Sequence, residues 1–301
     1  IGSNLARYLK KLGADVKIID NFSIGNEINI HDFKDIGISV LNSDITNQEE
    51  TEHYYKNIDF VFHHAAIASV PYSLKYPKES RLHNVEGTIS VLRNSSKMGV
   101  AKVVFASSSS VYGDTKVIPT DEKVELSPQS PYAEQKAEGE FHCKKFFESG
   151  KIRTTSLRYF NVFGPYQDPN SEYSAVIPKF IDLAIKNKNL YIFGDGSSTR
   201  DFIFVDDVIQ ANLLSALSKS SDCKTINVAT GQKITIGSLA KLIIEITDSK
   251  SKIVYDSPRK GDIIHSVADI EQAKKILEYN AKFNLKEGLS RTVEYFRNTG
   301  H

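Results

Sequence analysis

Several things that would each point to a definite class of protein are scarce in this sequence. Only two cysteines, Cys143 and Cys223, occur in 301 residues. That is too few for a disulfide framework, so a reducing, cytoplasmic setting is expected. Neither sign of charge is in excess: 38 Lys and Arg face 37 Asp and Glu, a formal net charge of +1. No bulk field then favours nucleic acid or an anionic membrane surface, and neither is expected as a partner. No apolar run approaches the roughly 20 residues that a spanning helix needs. No signal peptide is visible. Repeats, low-complexity tracts and linkers are lacking as well. His63 and His64 are adjacent, but no Cys/His/acid cluster accompanies them. They read as structural, and no metal is expected.

What is there alternates. Apolar, β-branched runs appear at DVKIID, SVLNSDI, DFVFHHAA, KVVFASSS, TTSLRYFNVFG, LYIFG and TINVATG. Helical stretches are expected between most of them, at 1–12, 47–56, 84–98, 132–148, 175–187 and 206–219. Strands apolar throughout and separated by helices indicate an α/β fold, a doubly wound parallel sheet covered on both faces. After about Arg158 the alternation loosens, with Pro, Gly and Asp in FGPYQDPNSEYSAVIP and FGDGSSTRDF. A smaller, interleaved C-terminal lobe is therefore expected. Residues 1–163, with returns at about 201–230, would form the nucleotide-binding domain, and 164–200 with 231–301 the second lobe. In a doubly wound sheet, ligand sits at the carboxyl ends of the strands.

The opening stretch, IGSNLARYLKKLGADVKIIDNF, has no Met at position 1 and reads as a helix already under way. Leu5, Leu9 and Leu12 recur at helical spacing, Gly13 ends the run, and a short strand follows. A helix then a strand is half of a βαβ unit, so the first strand of the sheet is expected to lie before residue 1. Asp20 closes the next strand with Asn21 beside it. In a dinucleotide-binding fold an acid there accepts hydrogen bonds from the adenosine ribose and repels a 2′-phosphate, which favours NAD.

Chemistry concentrates in SPYAEQKAEGE. Tyr132 and Lys136 are four apart, and on a helix such residues share a face. An ammonium near a phenol favours the phenolate, so the Tyr132 pKa is expected to fall from its usual value near 10. Such a group can exchange a hydroxyl proton near neutral pH. A second Tyr-x-x-x-Lys, Tyr112 and Lys116 in YGDTK, contains Gly113 and Asp114 and reads as a loop. Upstream, VVFASSSSVYGD ends a strand in four serines. A hydroxyl at a strand's carboxyl end can bond a substrate oxygen and the phenol together. His142 and Cys143, on the helix led by Tyr132, read as packing residues.

These motifs resemble the NAD-dependent epimerase/dehydratase family, the extended short-chain dehydrogenases/reductases. IGSNL resembles the tail of its glycine fingerprint, with Gly2 as the last glycine, permitting close helix–strand packing. The resemblance covers nearly the whole chain through DNFSIGN, SVPYSLKYP, SSSSVYGD, SPYAEQK, LRYFNVFGPYQDPN, AVIPKFI, FGDGSSTRDFIFVDDV and GDIIHSVADI. It is sharpest toward UDP-hexose 4-epimerases of the branch acting on UDP-N-acetylglucosamine and UDP-N-acetylgalactosamine. The resemblance implies Ser108, Tyr132 and Lys136 as catalytic. It implies NAD contacts from Gly2, Asp20, Asn21, Asp44, Ile45, Ala65, Ala66, Asn84, Tyr132 and Lys136, with Asn84 in a helix that braces the site. For the UDP-sugar it implies Ser109 as a sugar contact, Asn161 on the diphosphate, and Ala175, Val176 and Phe193 around uracil and ribose. Arg200 and Arg259 would clamp the diphosphate, paired donors suiting phosphate. Asp262 would meet the ribose, and Ser266 would leave room for an N-acetyl group at the hexose C2. A homodimer through the helices of 84–98 and 132–148 is implied too.

Related 4,6-dehydratases carry Asp-Glu where Ser109 and Ser110 stand, and UDP-glucuronate decarboxylases carry Glu at Ser110. A non-catalytic NAD-binding regulator is a further alternative, though such chains commonly lose the Tyr or Lys. In LEYNAKFNLKEGL, Glu278 and Ala281 replace the family's usual Gly and Pro, which puts the local turn geometry in question. The absent strand and glycine turn imply weakened NAD binding for the residues as given.

Overall fold

The computed structural model describes residues 1–169, 175–258 and 264–299. Helix α1 (Gly2–Lys11) buries Leu5 and Ala6 and stops where Gly13 takes φ +87°. Leu12, expected on its apolar face, lies beyond the last turn and is 63% exposed. Strands β1 (Lys17–Asp20) and β2 (Ser39–Asn42) pair in parallel. Helix α2 (Gln48–Glu52) and a 3-10 turn at His53–Tyr55 occupy the expected 47–56 stretch and lead to β3 (Phe60–His63). Two helices not foreseen, α3 (Val70–Lys75) and α4 (Pro77–Arg81), pass through a π-helical turn at Leu82–Glu86 into α5 (Gly87–Lys97). Then come β4 (Lys102–Ser108), α6 (Pro131–Glu148) and β5 (Arg153–Tyr159).

The remainder interleaves as expected in kind, with more helix than expected. It runs β6 (Asn161–Phe163), α7 (Val176–Ile185), β7 (Leu190–Phe193), β8 (Thr199–Arg200) and β9 (Phe202–Phe204). There follow α8 (Val205–Leu217), β10 (Lys224–Val228), β11 (Ile234–Thr235), α9 (Ile236–Thr247) and β12 (Ile253–Asp256). The last elements are β13 (His265–Ser266), α10 (Glu271–Leu277) and α11 (Leu285–Thr299). Among the described residues, no helix is long and apolar enough to cross a membrane.

The parallel sheet is present in two pieces. β3, β4, β5 and β10 hydrogen-bond in the order β10-β5-β4-β3, all parallel, and β1-β2 forms a separate pair. β4 shows why the chain winds on both faces. Val103 and Phe105 pack with Val91 and Leu92 of α5 and Cys143 of α6, so the cysteine is a packing residue as expected. Val104 and Ala106 point the other way, onto Val208 and Ala211 of α8 and Leu277 of α10. Each fully buried Val, Leu or Phe stabilises by about 1.5–3 kcal/mol, and β4 is flanked by such residues on both sides. A third apolar cluster gathers Ile181, Leu190, Leu239, Ile243, Leu289 and Phe296 from α7, β7, α9 and α11. Beside it a small sheet sets β8 between β11, antiparallel, and β13, parallel.

Candidate active site

Every strand of the larger sheet delivers its carboxyl end to one edge, and the expected catalytic side chains meet there. Ser108 is the last residue of β4. Helix α6 starts beside it. Ser130 accepts a hydrogen bond from the Ala133 amide at 3.2 Å and Pro131 occupies the first turn, a favoured start. The Tyr132 amide donates to the Ser73 hydroxyl of α3 at 3.1 Å, which fixes the first turn sideways as well. The Tyr132 and Ser108 side chains are neighbours, and the Ser108 hydroxyl favours the phenolate. Lys136, one turn on, is 4% exposed and donates to the Ala106 carbonyl at 2.8 Å. Its Nζ lies 5.0 Å from the Phe105 ring centroid and 5.9 Å from that of Tyr132.

The electrostatics correct one expectation. The Tyr132 phenol is raised rather than lowered: burial disfavours the phenolate and outweighs the opposing influence of the Ser108 hydroxyl. The Lys136 charge faces a backbone carbonyl and the ring of Phe105, so it does not deliver the expected depression. Lys136 itself is pushed down to about 8 by burial, against the raising influence of Cys143 and Glu140.

Two buried networks hold this geometry; the bracing by Asn84 was expected in kind, and the partners of both networks were not. Asn84, in the π turn, accepts from the Ile67 amide at 2.7 Å and donates to the Ile67 carbonyl at 3.1 Å and to Gln135 at 2.7 Å. Its polar atoms are thus engaged by protein, and Asn84 acts as a brace between the loop after β3 and α6 rather than as a free cofactor contact. The π turn, a device frequent at functional sites, carries Asn84 at 2% exposure. On the other side of Lys136, Glu140 accepts from Arg158 of β5 at 2.9 and 2.7 Å and from Ser107, the neighbour of Ser108. Arg158 continues to the Tyr112 hydroxyl at 2.9 Å, which donates to Asn227 at 2.6 Å. The decoy tyrosine is therefore a buried network member, while Lys116 is exposed and bonded to Asp114. Glu140 sits four residues past Lys136, a spacing that could have flagged it.

Along the same edge stand the residues expected to meet a dinucleotide. Asp20 ends β1, half-buried, and accepts from the Phe22 amide at 2.8 Å. Asn21 donates to Asp44 at 2.7 Å, and Asp44 accepts the Thr46 amide and hydroxyl at 2.8 and 2.7 Å. Burial pushes the Asp44 carboxyl up, but hydrogen bonds from Thr46 and Asn21 hold it below its usual range. Ala65 and Ala66 follow β3, both half-buried, and offer no bulk. A Cβ at Gly2 would meet no described atom within 4 Å. One expectation changes. The Ile45 side chain is a core residue, 9% exposed, leaving only its backbone to offer a ligand. His63 bonds Thr88 at 2.9 Å and burial pushes its imidazole down to about 3. His64 bonds the Tyr159 hydroxyl at 3.1 Å. Both serve the fold. A carboxylate for ribose hydroxyls at Asp20, a second carboxylate at Asp44 for the adenine side, small side chains where β3 ends and one buried ammonium make a set that fits NAD.

The residues expected around a UDP-sugar fall into two groups. Ser109 opens the 3-10 turn Ser109–Tyr112 directly after Ser108. Beside it the Ser110 hydroxyl is buried with no hydrogen-bond partner among the described residues. Asn161 begins β6 and donates its side-chain amide to the Asp201 carbonyl at 3.2 Å. Arg200 and Ser266 are brought side by side as a register pair of β8 and β13. Arg200 donates to the Thr199 carbonyl at 2.8 Å. Ala175 and Val176 stand at the start of α7, and Phe193, 36% exposed, ends β7. Arg259 and Asp262 lie outside the described residues.

Residues 1–229 match the family described as NAD dependent epimerase/dehydratase. The UDP-glucose 4-epimerase of Mycolicibacterium smegmatis is 32% identical over 99% of this chain and 96% of its own. Among solved structures, a UDP-glucose 4-epimerase of Thermotoga maritima with UDP-glucose superposes with a TM-score of 0.94 at 36% identity, covering 100% of this chain and 96% of that one. A UDP-N-acetylglucosamine 4-epimerase of Methanobrevibacter ruminantium, in complex with UDP-N-acetylmuramic acid, gives 0.92 at 38% identity over 99% and 95%.

Proposed function

Because the chain belongs to the NAD dependent epimerase/dehydratase family, we propose that it interconverts UDP-hexose 4-epimers, UDP-GlcNAc and UDP-GalNAc above all, with NAD as resident cofactor. The observation that carries this reading is Ser108 at the end of β4 beside Tyr132 in the first turn of α6, one helical turn from the buried ammonium of Lys136. A sugar 4-hydroxyl entering there gives its proton to Tyr132 in its phenolate form, the form that burial makes the minor one, while Ser108 holds the hydroxyl oxygen in line. Bound NAD supplies the hydride acceptor and donor for C4. Asp20, Asn21, Asp44, Ala65 and Ala66 would hold its adenosine half, with Lys136 near the reacting end. Lys136 keeps its charge on the Ala106 carbonyl and the Phe105 ring beside the reacting groups, and the buried site makes that charge count for more than it would in water.

Epimerisation needs the proton returned on the other face of the sugar, so the hexose must turn while its nucleotide stays. Residues 164–200 and 231–301, with Asn161 just before them, provide the grip: Asn161, Arg200 and Arg259 on the diphosphate, Asp262 on the ribose, and Ala175, Val176 and Phe193 around the base. Ser109 and Ser266 leave the hexose short hydroxyls rather than charged clamps. The N-acetyl preference rests on Ser266, a small side chain beside Arg200. No acid stands at 109 or 110, so the elimination and decarboxylation run by other members lack their proton carrier.

The test is direct. Purified protein with UDP-GalNAc and no added electron acceptor should build up UDP-GlcNAc, followed by NMR of the anomeric proton. Accumulation of NADH, or carbon dioxide release from UDP-glucuronate, would overturn the assignment. The same protein is expected to run as a homodimer in sedimentation. The support is exposed apolar side chains on α3 and α6, Leu74 at 62% and Phe141 at 53%.

A further inference from the structure

We propose that Asp201 is the positioning residue of the UDP-sugar pocket, its buried side chain and carbonyl together fixing Asn161, Arg200 and Ser266 relative to one another. The inference rests on the reading above that these three residues hold the substrate.

Asp201 occupies the single position between β8 and β9 and is 0% exposed. Its main-chain carbonyl accepts from the Asn161 amide at 3.1 Å and from the Asn161 side chain at 3.2 Å. Its chain neighbour is Arg200. Its carboxylate Oδ1 accepts from the Thr230 amide at 3.0 Å and the Thr230 hydroxyl at 2.7 Å. Oδ2 accepts from the Gly231 amide at 2.9 Å and from the Ala268 amide at 3.3 Å. Ala268 lies two residues past Ser266, which is itself paired with Arg200. Ala268 also bridges Thr120, in the segment that follows Ser108 and its turn. One residue thus connects three expected substrate contacts and, through Ala268, the catalytic strand's loop.

The residue type follows from the partners. All four groups facing the carboxylate are donors, three N–H and one O–H, and no cation is bonded to it among the described residues. An asparagine would turn an NH2 group toward donors and leave buried amides without acceptors, which is the expensive outcome for a dry site. Because Arg200 and Asn161 would grip the nucleotide equally in ground and transition states, misplacing them should weaken binding more than turnover.

The test is Asp201→Asn in the full chain, comparing KM and kcat with UDP-GalNAc, the affinity for UDP by calorimetry, and thermal unfolding. The expected result is a rise of about tenfold in both KM and the UDP dissociation constant, with kcat changed less than about threefold. The preference between UDP-GalNAc and UDP-galactose should shift at the same time, because Ser266 moves. Thr230→Val, which removes one donor and keeps the carboxylate, should shift KM and UDP affinity the same way but less. It decides the matter if Asp201→Asn fails to fold. Unchanged UDP affinity and KM in a folded variant would overturn the inference and leave Asp201 a stability residue only. Wild-type protein that binds no UDP would instead overturn the reading of the pocket, and this inference with it.

Discussion

Gly139 of α6 lies against the ring of Phe105 in β4 so closely that a Cβ there would overlap Cζ and stand 2.9 Å from Cε1. The ring that excludes it is buried and also lies under the Lys136 ammonium. Gly139→Ala should therefore destabilise by about 1–3 kcal/mol through overpacking and lower kcat by shifting Lys136. Urea unfolding and steady-state kinetics check both. An alanine variant with wild-type midpoint and kcat would mean that α6 yields without consequence.

Tyr132→Phe keeps the ring and removes the proton carrier. The expected fall in kcat is about 10²–10⁴-fold, with UDP affinity unchanged, since the phenol has no role in gripping the nucleotide. Turnover within tenfold of wild type would exclude Tyr132 as the acid–base group.

Lys136 gives a pH signature of two opposite slopes. Its ammonium is lost near pH 8 in the folded chain because burial disfavours the charge. Glu140 and Cys143 pull the other way, and His63 and His64, nearby, are held neutral. Activity that needs the ammonium should fall as pH rises through about 8. Between there and the usual lysine value of about 10.4 the unfolded chain keeps a proton that the folded chain has lost, so this group's contribution to stability rises with pH. Lys136→Arg should abolish the alkaline fall in kcat, since a guanidinium stays charged. Persistence of the same limb in the arginine variant would assign it elsewhere.

Ser266→Tyr fills the space beside Arg200. Turnover of UDP-GalNAc should drop by about tenfold or more relative to UDP-galactose, an added clash acting as the discriminating element. Equal loss for both substrates would show that position 266 does not face the C2 substituent.

Glu278 caps α10 in the left-handed region at φ +53°, where the family's glycine would sit without strain. Glu278→Gly should raise stability by about 0.5–1 kcal/mol, the relief of the Cβ clash exceeding glycine's greater freedom when unfolded. A lower urea midpoint would mean that the glutamate side chain contributes more than its backbone strain removes.

The parallel sheet and its reactive edge were legible because burial on both faces writes unbroken apolar runs such as KVVFASS. That a serine at a strand end would meet Tyr132 at a helix start was a local reading, and the family resemblance singled out Ser108 among the four serines. Helices α9, α10 and α11 were not read, although Leu239, Ala240 and Ile243 recur at helical spacing within α9. Short apolar runs there are ambiguous between strand and helix without knowing which neighbour covers them. The Tyr132 expectation failed for a related reason: spacing reveals that a lysine is near, but not that a carbonyl and a phenyl ring engage its charge. Glu140 was passed over despite its spacing from Lys136, and Asp201 because the groups that satisfy its carboxylate lie 29 or more residues away. Such long-range partnership leaves no periodicity in a sequence.

The π turn at Leu82–Glu86 has one more consequence, for how this segment can change over generations. A π turn is an α-helix with one residue too many, and each helical residue turns the chain by roughly 100°. Removing any one residue from it would let the helix close normally, but would rotate Arg81 and everything before it relative to α5, swinging Asn84 off Ile67 and Gln135. Point substitutions at the exposed Leu82, by contrast, touch nothing in the brace. The segment should therefore tolerate changes of letter while rejecting changes of length, and a library of single-residue deletions scored for turnover would show a sharp trough across it.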